Sequence, residues 1–290
     1  IPSTITRIGN YLLRELPNLR KVTFRAIEGD SEAVIGKYAF YKCPKLTEII
    51  IPDGYSVIDE NAFNDCENIT TVTLPSTISV IGINAFRDCS NLKTVNMPEK
   101  LKEDHPESYI GTYAFENCTN LTSITIPDSV TSIGHFTFSE CTNLETIAIP
   151  DSVTSIGDSA FEGCTNLATV TIPDSVTSIG DSAFEGCTSL AIVTIPNSVT
   201  SIGHSAFFGC TSLTTVTIPD SVTSIFFSTF SACTSLTSIT IPNGVTSIGD
   251  FAFEYCVNLT SITIPDSVTS IGYKAFYNTG YYNNLSNWQY

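Results

Sequence analysis

The residues in this chain with the greatest chemical potential are ten cysteines: Cys43, Cys66, Cys89, Cys118, Cys141, Cys164, Cys187, Cys210, Cys233 and Cys256. Successive cysteines lie 23 residues apart, with one 29-residue interval between Cys89 and Cys118. Thiols so placed serve as metal ligands, disulfide partners or packing groups. Zinc sites draw ligands from pairs a few residues apart, and no CxxC pair occurs here. A fixed period in this range signals stacked coils. Stacking at the ~4.8 Å spacing of strands brings neighbouring sulfurs close, but parallel side-chain vectors hold the Cβ atoms slightly too far apart for a bridge. The equivalent position is Leu16 near the start and Thr279 near the end. A site that accepts leucine is a packing site, and a buried free cysteine packs as a small hydrophobe. The expectation is a file of buried, unpaired thiols.

The three histidines are His105, His135 and His204. His135 and His204 hold the same repeat position three coils apart, ~14 Å by the strand spacing, too far to share a metal. His105 lies in an insertion with Glu103, Asp104 and Glu107, the one cluster with metal-site composition. Charge runs in loops are normally solvated, so no metal is assigned. The serines recur as repeat filler without a His–Asp partnership, and no Gly-rich phosphate loop appears. No catalytic residue and no cofactor are assigned.

Recognition is the chemistry that remains. Aromatic residues off the core positions gather late in the chain, at Phe208, Phe226, Phe227, Phe251, Tyr255, Tyr273 and Tyr277. Exposed contiguous aromatics mark partner sites, and these seven are the candidate partner-binding residues. Phe226 stands out because it replaces a turn glycine. The competing reading is packing between adjacent coils. Two outward columns, Thr71 to Ser261 and Thr73 to Thr263, are built mainly of threonine. Threonine suits such surfaces for structural reasons. The same hydroxyls suit a glycan and, less well, ice, because Ala148 and Ile192 interrupt them.

The elements that position these residues come from one phrase, clearest as LATVTIPDSVTSIGDSAFEGC at residues 167–187. In the next coil, Val193, Thr194 and Ile195 alternate in and out as a short strand. Pro196 ends it, since proline cannot donate to a ladder. Residues 199–202 form a second extended segment that turns at Gly203. Residues 205–209 fit a single helical or 3₁₀ turn that buries Phe207 and Cys210. Counted at the glycine step, the phrase predicts about twelve coils over residues 1–280, with 281–290 as an exit or cap. A lone coil cannot offset its backbone ordering entropy of ~1–2 kcal/mol per residue, so the array must be long. Extra residues near 28–33 and 102–108 predict loops on one flank.

Charge is uneven. Twelve of the 13 bases and twelve of the 29 acids lie at or before Lys102, and no Lys or Arg falls between Glu103 and Tyr273. That stretch repels nucleic acid and anionic lipid, which need clustered cations. No apolar run reaches the ~18 residues of a membrane span. Ile1 begins in mid-repeat, which suggests a piece of a longer protein.

The phrase LxxIxIPxxVxxIGxxAFxxC is similar to the repeat of BspA-like leucine-rich repeat surface proteins, over nearly the whole chain. The resemblance implies an α/β repeat solenoid: a right-handed arc with a parallel β-sheet on its concave face and short extended or helical turns elsewhere. It also implies an extracellular or cell-surface location and adhesion to host matrix proteins, cells or other microbes. It carries over no catalytic or binding residue. Asp59 and Phe226 depart from it by replacing the glycine. The alternatives to adhesion are an inert stalk and glycan binding by the threonine face.

Overall fold

The computed structural model describes residues 1–27, 32–102 and 109–281. The chain winds as a solenoid of parallel coils, and each regular coil supplies two short strands. The three-residue strands, such as Thr146–Ala148 and Thr169–Thr171, point their middle residue inward and both flanking residues outward. They pair in parallel with Ile147 beside Val170, one repeat apart. β-branched residues at these positions suit a pleated, half-buried surface. The two-residue strands, such as Ser155–Ile156 and Ser178–Ile179, pair in the same way and bury the isoleucine.

The flank from the glycine to the cysteine is not helical. Among the described residues up to 279, none is in a helix, so the molecule is close to all-β and not α/β. In one coil, Phe208 N donates to Ser205 O and Cys210 N to Phe207 O, giving successive turns. The intervening amides of Ser205, Phe207 and Gly209 donate across to Phe227, Thr229 and Ser231 of the next coil, each at 2.9 Å. Two residues per coil make this alternation by taking left-handed backbone, here Ser205 (φ 53°) and Gly209 (φ 70°). A helix would turn all its amides inward along the segment and leave the coils unlinked on this side.

The core is a set of vertical files. Eleven phenylalanines from Phe40 to Phe276 stack ring on ring, with centroids 5.1–5.7 Å apart and planes within 12°. Offset stacking of this kind adds roughly 0.5–1.5 kcal/mol per pair beyond burial. The coil-to-coil separation matches the strand spacing expected for a parallel stack.

The ladder of two-residue strands is broken twice. It forms one sheet from Arg7–Ile8 to Tyr109–Ile110, a second from Ser132–Ile133 to Ser201–Ile202, and a third from Ser224–Ile225 to Ser270–Ile271. The first break follows the insertion at 103–108, which lies outside the described residues. At the second, the amide of residue 226 makes no bond to Ile202 O, whereas Gly203 donates to Ile179 at 2.9 Å and Gly249 to Ile225 at 2.7 Å. Glycine is favoured here because an added Cβ at Gly203 would meet backbone of the coil below at 2.4 Å. Asp59 nevertheless carries a Cβ and keeps its bond to Ile35 O at 2.9 Å. The first break lacks the same bond although Gly134 is a glycine, and the two broken coils share a threonine in place of the repeat's alanine: Thr137 and Thr229 are buried and return their hydroxyls to the carbonyls of Gly134 at 2.9 Å and Phe226 at 3.0 Å.

The exit segment expected at 281–290 lies outside the described residues beyond 281. The same holds for the cluster of Glu103, Asp104, His105 and Glu107.

Candidate functional site

The ten cysteines are free and fully buried. Each thiol also donates a hydrogen bond. Cys164, Cys187 and Cys210 Sγ reach the carbonyls of Phe138, Phe161 and Phe184 in the coil before, each at 3.2 Å. The Phe184 carbonyl also accepts the amide of Cys187 at 3.2 Å. The thiol therefore occupies the second lone pair of a buried carbonyl, a role that an aliphatic side chain cannot fill. The hydrogen bond with the Cys66 thiol holds Cys43 down to about 7; burial pushes the other nine up, that of Cys256 to about 12 and those of Cys89 and Cys141 further. They are the opposite of reactive cysteines, which sit exposed beside positive charge.

His135 and His204 belong to a column directly after the glycine. Side chains in this column cap the next coil. Asp158 N donates to His135 Nδ1 at 3.0 Å, Asp181 N to Asp158 Oδ1 at 2.9 Å and His204 N to Asp181 Oδ1 at 2.7 Å. His135 also faces Asp158 Oδ2 at 3.1 Å. Among the described residues, no group of three or more His, Cys, Asp or Glu has the geometry to hold a metal.

Beside this column runs an open groove of about 480 Å³. Its floor is Gly134, Gly157, Gly180 and Gly203. One wall carries Ser132, Ser155, Ser178 and Ser201, and the other carries His135, Asp158 and Asp181. It spans the four coils of the central sheet, between the two breaks in the ladder.

The seven aromatic candidates lie in the last four coils, and six of them are exposed, with Phe251 half-buried. Phe227 packs edge-on against Phe251 at 5.6 Å, and Phe251 against Tyr273 at 5.5 Å. Tyr255 meets Tyr277 at 6.0 Å. Lys274 Nζ sits 5.3 Å and 4.7 Å from the Tyr273 and Tyr277 centroids and joins the two pairs by cation–π contact. Phe226 and Phe227 both lie beside His204. Tyr273 is 64% exposed and Phe227 45%, so contact between coils does not consume these rings. Phe208 is exposed and makes no ring contact among the described residues. The turn flank thus brings Phe226, Phe227, Phe251 and Tyr273 into one strip.

A counterpart near the start escaped the sequence reading. Tyr11 stacks on Tyr38 at 5.0 Å, Tyr38 meets Tyr41 edge-on at 5.4 Å, and Arg14 and Lys42 cover Tyr11 and Tyr41. The signal was available: Tyr11, Tyr38, Tyr113, Phe136 and Phe251 share the second position after the glycine. The threonine columns face outward on the three-residue strands. They are interrupted by Ala148 and by Ile192, which is 56% exposed.

A parallel solenoid of 23-residue coils, carrying its distinctive side chains in surface files, is a leucine-rich-repeat protein. The chain belongs to the BspA type leucine-rich repeat family, whose model matches residues 1–109, 108–233 and 154–283. It is similar to the solved structure of a leucine-rich repeat protein from Bacteroides ovatus, with 31% identity and a TM-score of 0.72 over 96% of this chain and 75% of that one. A leucine-rich repeat protein from T. pallidum is 28% identical, with a TM-score of 0.53 over 78% of this chain and 86% of that one. The pneumococcal vaccine antigen PcpA, at 17% identity, shares the fold, with a TM-score of 0.58 over 94% of this chain and 73% of that one. No curated protein matches the sequence. Among the described residues, no helix is long and apolar enough to cross a membrane.

Proposed function

We propose that this chain is a cell-surface adhesion solenoid that docks extracellular proteins, such as host matrix proteins, through the aromatic strip of its last coils. The observation that carries the reading is the contiguity of Phe226, Phe227, Phe251 and Tyr273, with Phe227 and Tyr273 largely exposed. Exposed rings cost solubility, and aromatic anchors dominate protein interfaces. Membership of a family of surface proteins supports the location. A net charge of −16, with no Lys or Arg from 103 to 273, favours a partner that presents basic groups around an apolar patch.

The test is binding of the chain to a panel of immobilised extracellular matrix proteins, beside the double variant Phe227→Ser, Tyr273→Ser. We expect at least one matrix protein to bind wild type and the variant to lose about tenfold or more in affinity, the scale of an aromatic hot spot. Equal binding by both proteins removes the strip from the interface. No binding by wild type favours a stalk that projects another module.

A further inference from the structure

We propose that the aromatic strip takes its partner as a polyproline II segment, with prolines one turn apart on Phe227 and Tyr273 and a basic residue beside them on Asp250. The proposal rests on the reading of the strip as a docking surface and names the class of chain that fits it.

Register carries the argument. Phe227, Asp250 and Tyr273 each follow the glycine position, in three successive coils, and so form one file. Two coils separate Phe227 from Tyr273, about 9.6 Å at the strand spacing. A polyproline II chain rises about 3.1 Å per residue with three residues per turn, so about 9.3 Å per turn. Its residues i and i+3 therefore face the same way at the step of the two rings. Proline also has no N–H to desolvate when it lies on an apolar surface.

The rings are set before a partner arrives. Phe251 lies between Phe227 and Tyr273, half-buried, with centroids 5.6 Å and 5.5 Å away and planes turned 80° and 90° to them. It buttresses both exposed rings. Fixed rings and a chain that is already extended keep the ordering cost of binding low.

The charge in the file fits a basic neighbour. Asp250 is exposed, and its Oδ1 accepts the Tyr273 amide at 2.7 Å, which holds the carboxylate between the two rings. Arginine or lysine next to the prolines reaches such a carboxylate by a charge-assisted bond. Lys274 covers Tyr273 and Tyr277 and closes the far end of the strip, so the basic residue belongs on the Phe227 side of Tyr273.

Other peptide modes fit less well. Strand addition needs open backbone groups, and here the amides of Ser228 and Phe251 already donate to Asp250 O at 3.0 Å and Tyr273 O at 2.9 Å in the next coil. A partner helix anchors in an apolar groove, whereas Phe227 and Tyr273 stand exposed on the flank.

The experiment is fluorescence anisotropy of a labelled peptide of four Arg-Pro-Pro repeats titrated with the full chain. Peptides of four Arg-Ala-Ala and four Glu-Pro-Pro repeats are the comparisons. We expect saturable binding of the first and about tenfold weaker binding of the other two. The double variant Phe227→Ser, Tyr273→Ser should weaken the first about tenfold, the scale of an aromatic hot spot. Asp250→Asn keeps the acceptor for the Tyr273 amide and should flatten the salt dependence of binding. Tyr11→Ser, in the other aromatic cluster, should change nothing, and circular dichroism checks that each variant is folded. Absence of binding by the Arg-Pro-Pro peptide overturns the proposal, as does equal binding of the Arg-Ala-Ala peptide. Matrix-protein binding that still depends on Phe227 and Tyr273, with no peptide binding, overturns the polyproline assignment and keeps the strip. If the double variant holds both peptide and matrix protein as well as wild type does, the strip itself is wrong.

Discussion

At the residue scale, the cysteines decide how the molecule responds to pH. A thiol raised by burial keeps its proton in the folded coil after the unfolded chain, near pH 8.5, has lost it. The sign follows: stability is intact below the unfolded value and falls as pH rises from there toward the folded value, about 12 for Cys256 and higher for Cys89, Cys141 and Cys210. Each such thiol contributes a slope of about 1.4 kcal/mol per pH unit. Urea unfolding under reducing conditions should show a sharply lower midpoint at pH 10 than at pH 7.5. The double variant Cys164→Ala, Cys187→Ala should be less stable at pH 7.5 and have a shallower pH dependence. Equal midpoints for wild type at the two pH values would contradict the buried file. The sequence marked these residues as packing sites, because Leu16 and Thr279 share the position. It hid the hydrogen bond, which joins each thiol to a carbonyl of the coil before, 26 residues earlier in the regular coils. No local pattern encodes that contact.

At the element scale, the turn flank was the least legible part of the chain. Residues 205–209 suggested one helical turn, yet the segment alternates inward and cross-coil amides through two left-handed residues. A clue was present in Asp65, Asp88, Asn117, Gly163, Gly186, Gly209 and Asn278, since these residue types tolerate left-handed backbone. Tyr255 and Ala232 at the same position obscured it. At the turns after proline the links again run between coils: Ser152 and Ser175 donate to Val130 O at 2.7 Å and Val153 O at 2.6 Å. Contacts between coils outcompete contacts within one. That linkage is interrupted at Gly134 and at Phe226, the two coils in which Thr137 and Thr229 replace the alanine. Thr229→Ala should let the residue 226 amide bond Ile202 O and join the second and third sheets. Native-state hydrogen exchange should then slow at residues 223–226 and leave 178–180 unchanged. Unchanged exchange at 223–226 would mean that the threonine is not the wedge.

At the scale of the whole molecule, the period alone gave the architecture, because one unit repeated in register places equal letters in vertical files. Function was legible only as a class. A core file is repeated to seal each coil, so it says nothing about a ligand; departures from the repeat are where a ligand is written. Phe226, Phe227, Phe251 and Tyr273 are such departures, and the fold gathers them on one flank. Charge acts over the same distance: the base-free stretch from 103 to 273 should make association with a basic partner faster at low salt. The most direct test of the account is hydrogen–deuterium exchange of the chain, free and saturated with a matrix protein that binds it. The account predicts protection concentrated at the turn flank of the last coils, around residues 226–228, 250–252 and 273–277, with the threonine strands unchanged. Protection on strands 146–148, 169–171 and 192–194 with none at the aromatic turns would contradict it.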